Sequence, residues 1–156
     1  MVLVPGKAEA LWETVSKFRT LFSDFNPGDL AMWVSMLTDQ DSVWIEICEG
    51  QKLVVLCTFK GLTSQVIDAE CHFLALDRMP AEKVEVVRKV IAWIFTEYPM
   101  LHRITMSPPT LYYAAIRAAL KIGFIHEGIK RETVLIRGRW ASQAIMGILR
   151  REAPCQ

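Results

Sequence analysis

A chain of 156 residues suits a single domain with a sizeable core, and its 52% apolar content, with five Trp and seven Phe, argues against a disordered chain. The formal net charge of +1 gives no global pull toward nucleic acid or a membrane surface. No apolar stretch reaches the roughly 18 residues of a bilayer span, and the opening MVLVPGKAEALWE lacks the basic region and apolar block of a signal peptide, so an intracellular setting without membrane contact is expected.

Leu11, Val15, Phe18, Phe22 and Phe25 recur three or four residues apart, which predicts an amphipathic helix from Ala8 to Phe25, stopped by Asn26-Pro27-Gly28. Asp29 is placed to cap a second, short helix from Leu30 to Leu37. Ser42 to Cys48 and Leu53 to Phe59 read as strands joined by a hairpin at Glu49-Gly50-Gln51. A third strand runs from Val66 to Leu76. Its alternation puts Ile67, Ala69, Cys71, Phe73 and Ala75 on an apolar face, with Asp68, Glu70 and His72 on the other.

Ala81 to Tyr98 is a long helix with Val84, Val87, Ile91 and Ile94 on one stripe, ended by Pro99. Arg103 to Met106 is a short strand. Ser107 is expected to cap the next helix, with Pro108 at its first position and Gly123 closing it. Phe124 to Ile136 and Ala141 to Leu149 are the last strands, separated by a turn at Arg137-Gly138-Arg139. This order predicts a mixed α/β fold, a sheet of about six strands flanked by four helices. Of the four cysteines, Cys48, Cys57 and Cys71 lie in apolar runs and are expected to be buried free thiols. With no C-x-x-C pair among these and Cys155, and with scattered histidines, no metal site is predicted.

The most specific pattern is the stretch from Ile104 to Glu152. A Pro-led helix ends in Lys121-Ile122-Gly123-Phe124; a strand with Glu127-Gly128, a turn and an apolar run ending in Arg150-Arg151 follow. It resembles the closing segment of the GNAT superfamily of N-acetyltransferases, and the element order is similar over most of the chain. The resemblance implies that the strand from Val66 to Leu76, at Leu74 and Leu76, meets the pantetheine arm of acetyl-CoA. It also implies that the loop after this strand holds the pyrophosphate on free N–H groups at a helix N-terminus, where the helix dipole favours an anion. Arg78, Lys83 and Ser107 are the further cofactor-binding residues it suggests.

Two departures stand against that expectation. The loop Asp77-Arg78-Met79-Pro80-Ala81-Glu82-Lys83 contains no glycine, Pro80 removes a donor, and Asp77 and Glu82 add negative charge that Arg78 and Lys83 could offset. Where many GNATs place a Tyr before the Gly-Phe pair, this chain has Ala119; Tyr112 and Tyr113 lie one to two turns earlier. In favour of chemistry, Glu70 and His72 share the polar face of the central strand, where a carboxylate could deprotonate an amine directly or through water. Glu46, on the neighbouring strand, is a second carboxylate to consider.

Two functions therefore follow. The damaged motifs favour a non-catalytic binding or structural protein that keeps the scaffold, similar to the small GNAT-like proteins of tailed bacteriophages, some of them virion or assembly components. That reading predicts a protein partner, with Trp140 beside the last turn as a contact. The alternative is an acetyl-CoA-dependent N-acetyltransferase with Glu70 as base. Basic residues gather toward the C-terminal third, which suits a solvated face better than nucleic-acid binding. Sequence leaves the oligomeric state and the acceptor amine open.

Overall fold

A computed structural model of the chain describes residues 5–17, 24 and 28–153, with side chains from residue 10 onward. The elements follow in the order α1 (Pro5–Val15), α2 (Leu30–Leu37), β1 (Ser42–Glu49), β2 (Lys52–Lys60), β3 (Asp68–Ala75), α3 (Ala81–Glu97), β4 (Arg103–Met106), α4 (Tyr113–Ile122), β5 (Ile125–Ile136) and β6 (Arg139–Leu149). A short 3-10 turn, Arg150–Glu152, follows β6. The strands form one six-stranded sheet in the order β1-β2-β3-β4-β6-β5. β3 and β4 pair in parallel, with α3 as their crossover; the other neighbours are antiparallel.

The sheet is covered on both faces at β1–β3, while β5 is largely exposed. On one face, the odd-numbered residues of β2 and β3, among them Cys57, Phe59 and Cys71, pack with Val87, Ile91 and Ile94 of α3 and with Ala119 and Ile122 of α4. On the other, Trp44, Leu56 and Leu74 meet Leu11 and Val15 of α1 and Trp33 and Leu37 of α2. The Trp33 ring stands edge-on to Trp44 at 5.3 Å. Among the described residues no helix is long and apolar enough to cross a membrane.

Several boundaries follow the local code. The Asp29 carboxylate accepts the N–H of Met32 at 2.7 Å and caps α2. Gly123 ends α4 at φ 121°, a conformation L side chains rarely adopt, and its N–H returns to the carbonyls of Ala119 and Leu120. Past the end of α3, Arg150 donates to the carbonyls of Leu101 (2.9 Å) and Tyr98 (2.6 Å), with its guanidinium over the Phe95 ring.

Four expectations need correction. α1 stops at Val15, and Ser16 and Lys17 form a turn, so the helix is not continuous to Phe25. The Thr14-Val15-Ser16 run is poor in helix propensity. Phe18, Phe22, Phe25 and the Asn26-Pro27 stop lie outside the described residues. Ser107 does not cap α4, which begins at Tyr113. The backbone there is committed elsewhere: Ala144 N–H bonds Pro108 C=O, Thr110 N–H bonds Ser142 C=O, and Pro109 bridges to Gln143. Residues 107–110 thus extend the sheet along β6 instead of starting a helix. Ile67 precedes β3 and is 65% exposed, and the Cys48 thiol is exposed near the β1–β2 turn.

Candidate active site

β3 and β4 pair over only three positions, Asp68↔Arg103, Ala69↔Ile104 and Glu70↔Thr105. Beyond Glu70, β3 stays with β2, while the continuation of β4 stays with β6. The two strands part, and the wedge between them is a cleft of about 930 Å³. One wall is β3 from Cys71 to Ala75; the other is Ser107–Pro109 and α4. Asp77, Arg78 and Met79 close the end near the start of α3.

The direction of the β3 backbone groups follows from a single hydrogen bond. Leu76 N–H donates to Val54 C=O of β2 at 3.0 Å. In an antiparallel ladder this direction alternates, and the β2–β3 register carries no bulge. Leu74 and His72 therefore bond β2, while the N–H and C=O of Phe73 and Ala75 face the open edge. The cleft thus offers a row of backbone donors and acceptors beside an apolar surface, which an extended amide-bearing chain can join as an added strand.

Glu70 stands where the strands begin to part, with His72 beyond it. His72 Nε2 lies 3.6 Å from Glu70 Oε1, and both side chains are about half exposed (50% and 52%). Lys60 and Thr58 of β2 are their register partners, and Trp44 of β1 lies next across the same row. The atoms packed around the His72 ring hold its pKa below 6.5; Glu70 pulls the other way and Lys60 adds to the depression. The imidazole is therefore neutral near pH 7 and can accept a proton. Cys71 lines the same wall, but its thiol is fully buried and its pKa is driven well above 9.0 by that burial, so it is no nucleophile.

The loop at the start of α3 is an ion-pair cluster. Lys83 is buried, with Nζ 3.2 Å from Glu49 Oε1 and 3.9 Å from Asp77 Oδ2. Lys52 Nζ is 3.4 Å from the same Asp77 oxygen. Arg78 N–H donates to Asp77 Oδ1 at 2.7 Å, and this bond, then Lys52 and Lys83, holds the carboxyl below the usual carboxylate range. Pro80 precedes the helix and supplies no side-chain cap.

Of the residues singled out in the sequence, His72, Leu74, Arg78 and Ser107 line the cleft; Glu70 is not among the lining residues but is the last position of β3 paired with β4, next to where the cleft opens. Leu76 is turned to β2 by its N–H and packs with the cluster under α1 and α2. Lys83 sits behind the loop, engaged by Glu49 and Asp77. Sequence reasoning missed the open-edge role of Phe73 and Ala75, because it assigned Leu74 and Leu76 without a register. It also missed Gln143, whose Nε2 donates to Ser107 C=O at 2.8 Å and whose Oε1 accepts from Thr133 at 3.0 Å, pinning the far wall. Tyr112 and Tyr113, set aside for their spacing, both line the cleft.

No protein-family model and no curated protein sequence matches the chain. Solved structures do. Spermidine N-acetyltransferase from Vibrio cholerae in complex with CoA and spermine is 17% identical, with a TM-score of 0.76 over 98% of this chain and 95% of that one. A probable acetyltransferase is 19% identical, with a TM-score of 0.74 over 97% and 92%. The microcin C7 self-immunity acetyltransferase MccE, in complex with acetyl-CoA and AMP, is 14% identical, with a TM-score of 0.71 over 96% and 90%. At these identities the likeness concerns architecture, and the architecture of this chain is the GNAT fold.

Proposed function

We propose that this chain is an acetyl-CoA-dependent N-acetyltransferase acting on an amine. The observation that carries the reading is the cleft between the parting strands, with an open backbone edge on one side and His72 in its wall, 3.6 Å from Glu70 at the last β3–β4 pair. Structural neighbours that bind CoA or acetyl-CoA support it. The fit is uneven. The edge at Phe73 and Ala75 and the apolar Leu74, Met79 and Ala119 suit a pantetheine arm, whereas Asp77 opposes the phosphates.

Bound acetyl-CoA would supply an activated acetyl thioester. The chain's own part is positioning and proton transfer. β3 and the extension at Ser107–Pro109 hold the donor in line and exclude water from its apolar length. Glu70, directly or through water, takes the proton of the incoming amine, and neutral His72 beside it is a second proton acceptor. Tyr112 and Tyr113 line the same cleft, and a hydroxyl from either would serve as proton donor to the departing sulfur.

The glycine-free loop favours a second reading, a binding protein that retains the scaffold and meets a protein partner through surfaces such as Trp140, which is 56% exposed. The two readings separate in one assay. Thiol release from acetyl-CoA is followed with a panel of primary amines, for the natural chain and for Glu70→Gln. The enzyme reading expects amine-dependent release that falls by about 100-fold or more in the variant. No release with any amine, or an undiminished rate in Glu70→Gln, would overturn it.

A further inference from the structure

Asp77 stands at the end of the cleft where a phosphate-bearing donor would place its charge. Its Oδ2 lies between two ammonium groups, Lys52 at 3.4 Å and Lys83 at 3.9 Å, and its Oδ1 is held by the Arg78 N–H. Lys83 is engaged a second time by Glu49. Lys52 and Lys83, which could meet a diphosphate here, are thus already paired within the chain. Arg78, exposed and in no ion pair among the described residues, is the cation left over. Pro80 gives no N–H to the start of α3, and Glu82 adds negative charge to its first turn.

We propose that Asp77 is an internal anion that sets how tightly this cleft takes a phosphate-bearing donor. The inference rests on the reading above that the cleft is a donor site. An incoming diphosphate meets a fixed like charge that cannot swing aside without giving up the Arg78 N–H and both lysines. Donor affinity is therefore weak in the natural chain, and Asp77 is a specificity-determining residue that discriminates against negative charge at this end.

The test compares the natural chain with Asp77→Asn, which keeps the Oδ1 acceptor for Arg78 and removes the charge. Each is titrated calorimetrically with CoA and, separately, with inorganic pyrophosphate. Asp77→Asn is expected to bind both probes about tenfold tighter, from the loss of a unit like charge at close range. The gap should narrow at high salt. Asp77→Ser, whose hydroxyl can also accept from the Arg78 N–H, should behave alike and guards against a folding defect in the first variant. If both forms bind CoA equally, the inference falls and the donor reading stands. If Asp77→Asn gains pyrophosphate while neither form binds CoA, the donor reading falls and the inference falls with it. Unchanged binding of both probes, or none by any form, overturns the inference.

Discussion

Proline substitution along β3 tests the open edge directly. A proline removes one backbone N–H and does little else to a strand whose donor faces open space. At Ala75 the lost donor points into the cleft, because the neighbouring Leu76 donates to Val54 of β2. At Leu74 the lost donor belongs to the β2–β3 ladder, and a side chain only 8% exposed goes with it. Ala75→Pro costs the adjustment of φ toward −65°, about 1–2 kcal/mol. For a chain of this size that is a fall of about 2–8 °C in melting temperature. Leu74→Pro loses a ladder bond and most of a buried Leu, about 3 kcal/mol or more, and is expected to unfold well before it. In a CoA titration Ala75→Pro should lose the net worth of one hydrogen bond, about 1 kcal/mol or roughly fivefold, with a further loss if the ring blocks the edge. Equal destabilisation by the two prolines would show that the Ala75 N–H is engaged within the protein, and the open edge would have to be abandoned.

Three further outcomes are expected. Gly123→Val places a β-branched side chain at φ 121°, with its Cβ 3.6 Å from Ile148 Cδ1; a loss of about 2–4 kcal/mol in urea melts is expected, and an unchanged midpoint would place the end of α4 elsewhere. Gly147→Ala sets a Cβ 2.6 Å from Arg103 Cζ and 2.7 Å from Nη1, so the guanidinium must leave its pair with Glu127 and its bond to Thr105. The cost should be about 1–2 kcal/mol for this partly exposed network, and it should vanish when Arg103 is already Met; full additivity in that double-mutant cycle refutes the contact. The folded-state pKa of His72 lies below 6.5, so as pH falls from 6.5 the unfolded chain takes up the proton first and stability is lost down to the folded value. His72→Gln should flatten that part of the stability–pH curve, and an identical slope in both proteins would mean the ring is not shifted.

Features that depend on a few neighbouring residues are legible in the sequence by itself. The Asp29 cap and the left-handed glycine at 123 are written in single residues, and the alternation of β3 places Glu70 and His72 on one face because strand side chains have a period of two. The features that make a site come from partners distant in sequence. Ser107 and Pro108 carry every local mark of a helix start, yet Ser142 and Ala144, more than thirty residues on, recruit this stretch into the sheet. A backbone bond to a neighbouring strand outweighs a capping preference worth about 1 kcal/mol. The same holds for Lys83, which the family resemblance assigns to the cofactor but which is buried, with its charge matched by Glu49 of β1 and Asp77. Which edge of β3 is open is likewise fixed by strand pairing, since register is a relation between two segments and neither contains it alone.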